Sequence, residues 1–189
     1  MHDDAHLVRE TAHDAARVFT ALAGMAEDVV RVIATIRHAL DAGGTVLTCG
    51  NGGSAAEALH LSEELIGRYK AERPPYRALC LSADPTALTC IANDYGYDSV
   101  FARQVAGLAR EGDCLVALTT SGNSDNIRLA LERARAMGVT TIGLLDKSGG
   151  ACKDLCDHTL VIPSDATERI QEGHLLVIHQ ILEALESAG

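Results

Sequence analysis

The stretch TVLTCGNGGSAAEALHLSEELIGR, residues 45–68, decides how this chain is read. Thr45 to Cys49 is β-branched and apolar, as a buried parallel strand requires, and it runs into an elbow in which Gly50, Gly52 and Gly53 let the backbone turn tightly with positive φ. Ser54 is expected to cap the helix that follows. Free amides at that helix start would hold a phosphate or a sugar oxygen against Asn51 to Ser54 without a basic side chain. Gly50, Gly52 and Ala55 also fit G-x-G-x-x-G/A, but the acid that should end the next strand about 20 residues on is missing, which argues against a dinucleotide. A ligand-free corner between strand and helix is the plainer alternative.

On the helix, His60 and Glu64 stand at i and i+4 and project from one face about a turn apart. That spacing suits two ligands of one metal, or a base beside its orienting partner. An isolated His-x-x-x-Glu is more often a half-buried histidine beside a surface glutamate. Glu63, at i+3, is a rival for the same role.

Working outward, 189 residues of which 47% are hydrophobic suit one globular domain. The acidic start MHDDAHLVRE lacks an apolar core, so no secretory signal is read and a cytoplasmic address is expected; no run is long enough to span a membrane. The formal charge of -10 argues against nucleic acid and anionic membranes as partners, so a bound phosphate must rely on amides and hydroxyls. Six cysteines read as reduced packing residues. Cys152 and Cys156 near His158 are weighed as a metal or redox pair, against which stands the absence of a C-x-x-C spacing.

Residues 1–40 read as two amphipathic helices, with Val29, Val32, Ile33, Ile36 and Leu40 at helical spacing. They need a cover, and in a small domain that is often a second subunit. Apolar runs near 45–49, 77–82, 113–119, 139–145 and 158–162 then alternate with helical patterns. The fold class expected is α/β, a doubly wound five-stranded parallel sheet with helices on both faces, preceded by the helical pair. Ligands of such sheets bind outside the C-terminal strand ends, where strand order reverses.

Those ends carry GNGGS, the 93–97 loop and TTSGNSDN. Thr119, Thr120, Ser121 and Ser124 put hydroxyls around Gly122 at a turn from strand to helix, either a neutral phosphate cradle or an ordinary cap. Asn93, Asp94, Tyr95, Gly96 and Tyr97 form a polar loop that either caps a helix over 98–110 or holds sugar hydroxyls. The closing helix, 167–188, carries an apolar stripe interrupted by Gln171, His174 and His179. A histidine on such a stripe is usually a satisfied core residue.

GNGGSAAEALH (50–60), TTSGNS (119–124) and RIQEGHLLVIH (169–179), in this order and spacing, resemble the sugar isomerase (SIS) domain and, within it, the bacterial phosphoheptose isomerase family. The resemblance covers nearly all of residues 20–187. It implies a flavodoxin-like SIS domain over 1–189, with residues 1–42 packing the oligomer and 43–189 binding a sugar phosphate. The implied activity interconverts sedoheptulose 7-phosphate and D-glycero-D-manno-heptose 7-phosphate. Carried over residue by residue, His60, Glu64, Gln171 and His179 fall on the family's ligands for one zinc per subunit. Glu64 and His179 also fall on its acid/base pair. Substrate contacts fall on Asn51, Gly52, Gly53, Ser54, Glu64, Asn93, Asp94, Thr119, Thr120, Ser121, Ser124 and Gln171. Thr119 stands where the family commonly has Ser, and Glu168 where some members have Asp.

The family is typically a homotetramer with its site between subunits. Two other SIS readings compete: a non-catalytic tetrameric scaffold for a replication-initiator protein, which needs no metal ligands, and a sugar-phosphate-sensing module, which usually carries a DNA-binding segment. Gln171 and His179 are eight residues apart, about 12 Å along one continuous helix and turned by about 80°. Either the helix begins after Gln171, or the two serve different copies of the site.

Overall fold

The computed structural model describes residues 3–146 and 148–187. Two helices, α1 (Asp4–Ala23) and α2 (Ala26–Asp41), lead into an alternation of strands and helices. This runs β1 (Val46–Gly50), α3 (Gly53–Ile66), β2 (Ala78–Cys80), α4 (Pro85–Tyr95), α5 (Val100–Leu108) and β3 (Cys114–Leu118). It continues with α6 (Asp125–Ala136), β4 (Thr140–Asp146), β5 (His158–Ile162) and α7 (Thr167–Glu186). The strands form one parallel sheet in the order β2-β1-β3-β4-β5. Every residue of β1 and β3 is buried, which is why those segments read as unbroken apolar runs rather than as alternating ones.

Successive strand residues feed two cores. Val46, Val116, Leu118, Ile142 and Leu144 face one layer, where α2, α3 and α7 bring Ile36, Leu61, Leu65, Val177 and Ile181. Leu47, Cys49, Leu115, Ala117 and Leu145 face the other, closed by Val100, Phe101 and Val105 of α5 and Ile127, Ala130, Leu131 and Ala134 of α6. The sheet is thus doubly wound, as expected.

Three expectations change. The stripe of α2 needs no partner, because Val29, Val32, Ile33 and Ile36 are buried in the chain's own core; Leu7, Val8 and Phe19 of α1 and Val30 of α2 stay exposed. Asn93 and Asp94 lie in the last turn of α4 rather than in a loop, and Gly96, with φ of 85°, ends that helix. Helix α7 is continuous from Thr167, so it does not begin after Gln171. Met1, His2 and Ala188, included in the expected end helices, lie outside the described residues.

Candidate active site

In the order β2-β1-β3-β4-β5 the chain winds one way from β1 to β2 and the other way from β3 to β5, so the switch lies between β1 and β3. Both elbows sit there. The last register pair is Gly50 with Leu118, and the chain leaves it as Asn51–Gly53 on one side and Thr119–Ser124 on the other.

In the first elbow only Gly52 has positive φ, 57°. It is also the N-cap of α3, so the expected cap at Ser54 gives way: Ser54 is buried in the first turn, and no side chain caps this helix. Its first amides are therefore uncovered by any side-chain acceptor. Gly50 and Gly53 are needed for close approach instead. A Cβ at Gly50 would collide with the backbone of Ser54, and one at Gly53 with the Gln171 amide. Gln171 thus lies against the elbow of its own chain.

The second elbow is tied internally. Thr119 Oγ1 accepts from the amides of Ser121 (3.4 Å) and Gly122 (3.3 Å), and Ser121 Oγ accepts from the Asn123 amide (3.2 Å). Residues 149–152 back it, with the Cys152 amide donating to Gly122 O at 2.9 Å. Thr120 and Ser124 are half-buried, Ser121 is exposed, and Ser124, although the N-cap of α6, makes no capping bond with its side chain. Asn93 Nδ2 donates to Asp94 Oδ1 at 2.7 Å, and both side chains are exposed.

Helices α3 and α7 run parallel, and a ladder of polar residues lies between them. Gln171 meets Gly53, His174 faces Glu57, His179 meets His60, and Glu186 reaches the turn after α3. His60 and His179 stand Nε2 to Nε2 at 3.2 Å, with their rings edge to face. His60 Nδ1 lies 3.0 Å from Glu63 Oε1. A carboxylate only accepts, so His60 Nδ1 carries the proton shared with Glu63. Ligand atoms of His60, Glu63 and Glu64 all lie within 4.8 Å of one another. Burial pulls His179 below the ordinary histidine value of 6.5, the His60 ring adds to that, and the Glu64 carboxylate pulls partly back. The ring is therefore neutral near pH 7. Gln171 is not brought into this group; it lies about 12 Å up the same helix.

The Cys152 and Cys156 pair is protonated at neutral pH: burial raises the Cys152 thiol to about 11 and the Cys156 thiol to about 12. Cys156 Sγ donates to Cys152 O at 3.3 Å, and all six cysteines are free.

Sequence reasoning passed over several residues. Tyr69 stacks on His179 at 5.6 Å between centroids and 24° between planes. Ser82 Oγ donates to Gly50 O at 2.9 Å and accepts from its amide at 3.2 Å. Asn126 and Tyr97 both bond to Asn51. None carries a local spacing signal; Asn126, inside TTSGNSDN, and Tyr97, inside the 93–97 loop, were in view without a partner.

Among known proteins, the family model described as SIS domain matches residues 12–146. A phosphoheptose isomerase of Akkermansia muciniphila is 50% identical over 168 residues, 89% of each chain. The solved phosphoheptose isomerase of Francisella tularensis aligns with a TM-score of 0.95 at 32% identity, over 98% of this chain and 100% of its own. That of Neisseria gonorrhoeae aligns at 0.92 and 35%, over 97% and 98%.

Proposed function

This chain belongs to the SIS-domain family and, within it, to the phosphoheptose isomerases, and from that premise we propose how it works as a sugar-phosphate isomerase. The proposed reaction converts sedoheptulose 7-phosphate to D-glycero-D-manno-heptose 7-phosphate through a cis-enediol. The working unit is a cytoplasmic homotetramer with one zinc per subunit and sites shared between chains. Among the described residues no helix is long and apolar enough to cross a membrane, and the net charge of -10 sets the chain against nucleic acid.

The observation that carries the chemistry is His179 held against His60, with the Glu64 carboxylate beside it. Moving a carbonyl between C2 and C1 needs a base for a carbon-bound proton and a group that exchanges protons with the oxygens. Glu64 takes the C1 proton of the ketose and returns it at C2. His179 passes a proton between O1 and O2 through the single ring nitrogen that faces away from His60, which gives up its proton to one oxygen and takes one from the other. Phosphate is held at the second elbow by the first amides of α6 and by Thr120, Ser121 and Ser124, while the first elbow, with Ser54, Asn93, Asp94 and Gln171, faces the sugar.

The donor set fits zinc. Two imidazole nitrogens on one tetrahedral ion stand about 3.4 Å apart, against the 3.2 Å between the two Nε2 atoms here. Glu63 on His60 Nδ1 is the outer support that metal-bound imidazoles use. His60, Glu64 and His179 would hold the ion from one chain, joined by Gln171 of another copy. When bound, it would polarise the C1 and C2 oxygens. Glu64 and His179 each have two polar atoms, so one can face the ion and the other the substrate.

Turnover of sedoheptulose 7-phosphate, with zinc content by elemental analysis, tests the reading. Glu64→Gln should fold normally and lose on the order of a hundred-fold or more in rate. Solvent deuterium entering C1 at the wild-type rate in that variant would remove Glu64 as the base.

A further inference from the structure

Asn126, the second residue of α6, is 3% exposed and exchanges two hydrogen bonds with Asn51 of the first elbow. Its Nδ2 donates to Asn51 Oδ1 at 2.9 Å, and its Oδ1 accepts from Asn51 Nδ2 at 2.9 Å. The Tyr97 hydroxyl, just past α4, donates to the same Asn51 Oδ1 at 3.1 Å. Both lone pairs of that oxygen are thereby taken, which fixes the Asn51 side chain and leaves one Nδ2–H of it to face a ligand.

Their place in the fold gives these bonds a use. The ladder between β1 and β3 ends at Gly50 and Leu118, after which α3 goes to one face of the sheet and α6 to the other. Beyond that last pair no backbone ladder sets the distance between the elbows. The amide pair is one residue past it and spans the gap.

We propose that Asn126 and Tyr97 are positioning residues, which fix the two elbows relative to each other through Asn51 so that one extended sugar phosphate engages both at once. This rests on the reading that both elbows hold the substrate. A ligand that spans the elbows depends on their spacing, whereas inorganic phosphate is small enough to occupy one elbow alone. Misplacement by about 1 Å is enough to cost a spanning ligand tenfold or more.

The test compares Asn126→Leu, which keeps the branched shape without the amide's hydrogen-bonding groups, and Tyr97→Phe, at an exposed position where folding is safe. Each is assayed for kcat/KM on sedoheptulose 7-phosphate and for competitive inhibition by inorganic phosphate. Asn126→Leu should lower kcat/KM at least about tenfold and Tyr97→Phe by a smaller factor in the same direction, with phosphate inhibition within about twofold of wild type. Unchanged kcat/KM in both variants overturns the positioning role. Equal losses for substrate and phosphate overturn it too, because they mean that an elbow has collapsed rather than shifted. A wild-type protein inert on sedoheptulose 7-phosphate overturns the functional reading and the positioning role with it, whereas an active wild type with indifferent variants overturns the positioning role alone.

Discussion

A methyl group added at Gly53 and one added at Gly122 meet different obstacles. At Gly53 the new Cβ would strike the end of the flexible Gln171 side chain; at Gly122, where φ is 62°, it would strike the backbone of Gly149 and Gly150. Gly53→Ala should therefore fold with an unchanged or slightly higher melting temperature, since alanine restricts the unfolded chain, while KM for the sugar phosphate rises as Gln171 is pushed from the elbow. Gly122→Ala should cost about 2–3 kcal/mol, lowering the melting temperature by roughly 5–10 °C. Calorimetry with steady-state kinetics separates the two, and a Gly122→Ala protein that melts like wild type would mean that residues 149–150 yield and the second elbow is not fixed. The same contrast shows what single residues reveal in a sequence. His60 and Glu64 were legible because helical spacing alone puts them on one face, and Glu63 was visible as a rival before it proved to hold His60 Nδ1. The Asn51–Asn126 pair spans 75 residues and the Asn51–Tyr97 bond 46, so neither partner leaves a periodic trace.

Among elements, the pair α3–α7 depends on the turn that follows α3. Glu186 Oε1 accepts from the Tyr69 amide at 2.8 Å, and Oε2 accepts from Lys70 at 2.8 Å and Ala71 at 2.9 Å. Arg73 Nε lies 3.5 Å away, and its Nη2 donates to Glu64 O at 2.6 Å. This clamp holds Tyr69 over His179. Burial pushes the Glu186 carboxyl up, but the three amides and Arg73 pull it further down, to a net value below the ordinary 4.5. A depressed carboxyl contributes stability above its unfolded value and loses it as pH falls through the folded one. Glu186→Gln should thus lower the melting temperature by roughly 4–8 °C at neutral pH. The difference should shrink as pH drops below about 4.5, and kcat should fall as Tyr69 loosens. Melting curves across pH check it; a gap independent of pH would mean that shape rather than charge holds the turn. Helix α7 was legible from its stripe and the strands to within two or three residues. Helix α4 was missed although its start signal was present, Asp84 capping and Pro85 in the first turn, because its half-buried Leu88, Ile91 and Ala92 make a weak stripe.

At the scale of the molecule, parallel strands and a ligand at their C-terminal ends followed from the alternation of apolar runs and helices, but the order β2-β1-β3-β4-β5 is set by packing that no run records. The assembly follows from lengths. Along α3, His60 lies about 10 Å from Gly53, and along α7, Gln171 lies about 12 Å from His179, so the elbow with Gln171 and the His60–Glu64–His179 group lie about two turns apart along one helix pair. If Gln171 joins that group, it comes from another copy. A mixing experiment reads this directly. Glu64→Gln refolded with His179→Ala should regain nothing, because both residues serve the same chain's group. Glu64→Gln refolded with Gln171→Ala should recover about a quarter of wild-type activity, the fraction of shared sites that draw an intact residue from each parent. Recovery in the first mixture would mean that the contact between His60 and His179 is not the working arrangement; none in the second, with mixed oligomers confirmed by mass, would confine Gln171 to the elbow of its own chain.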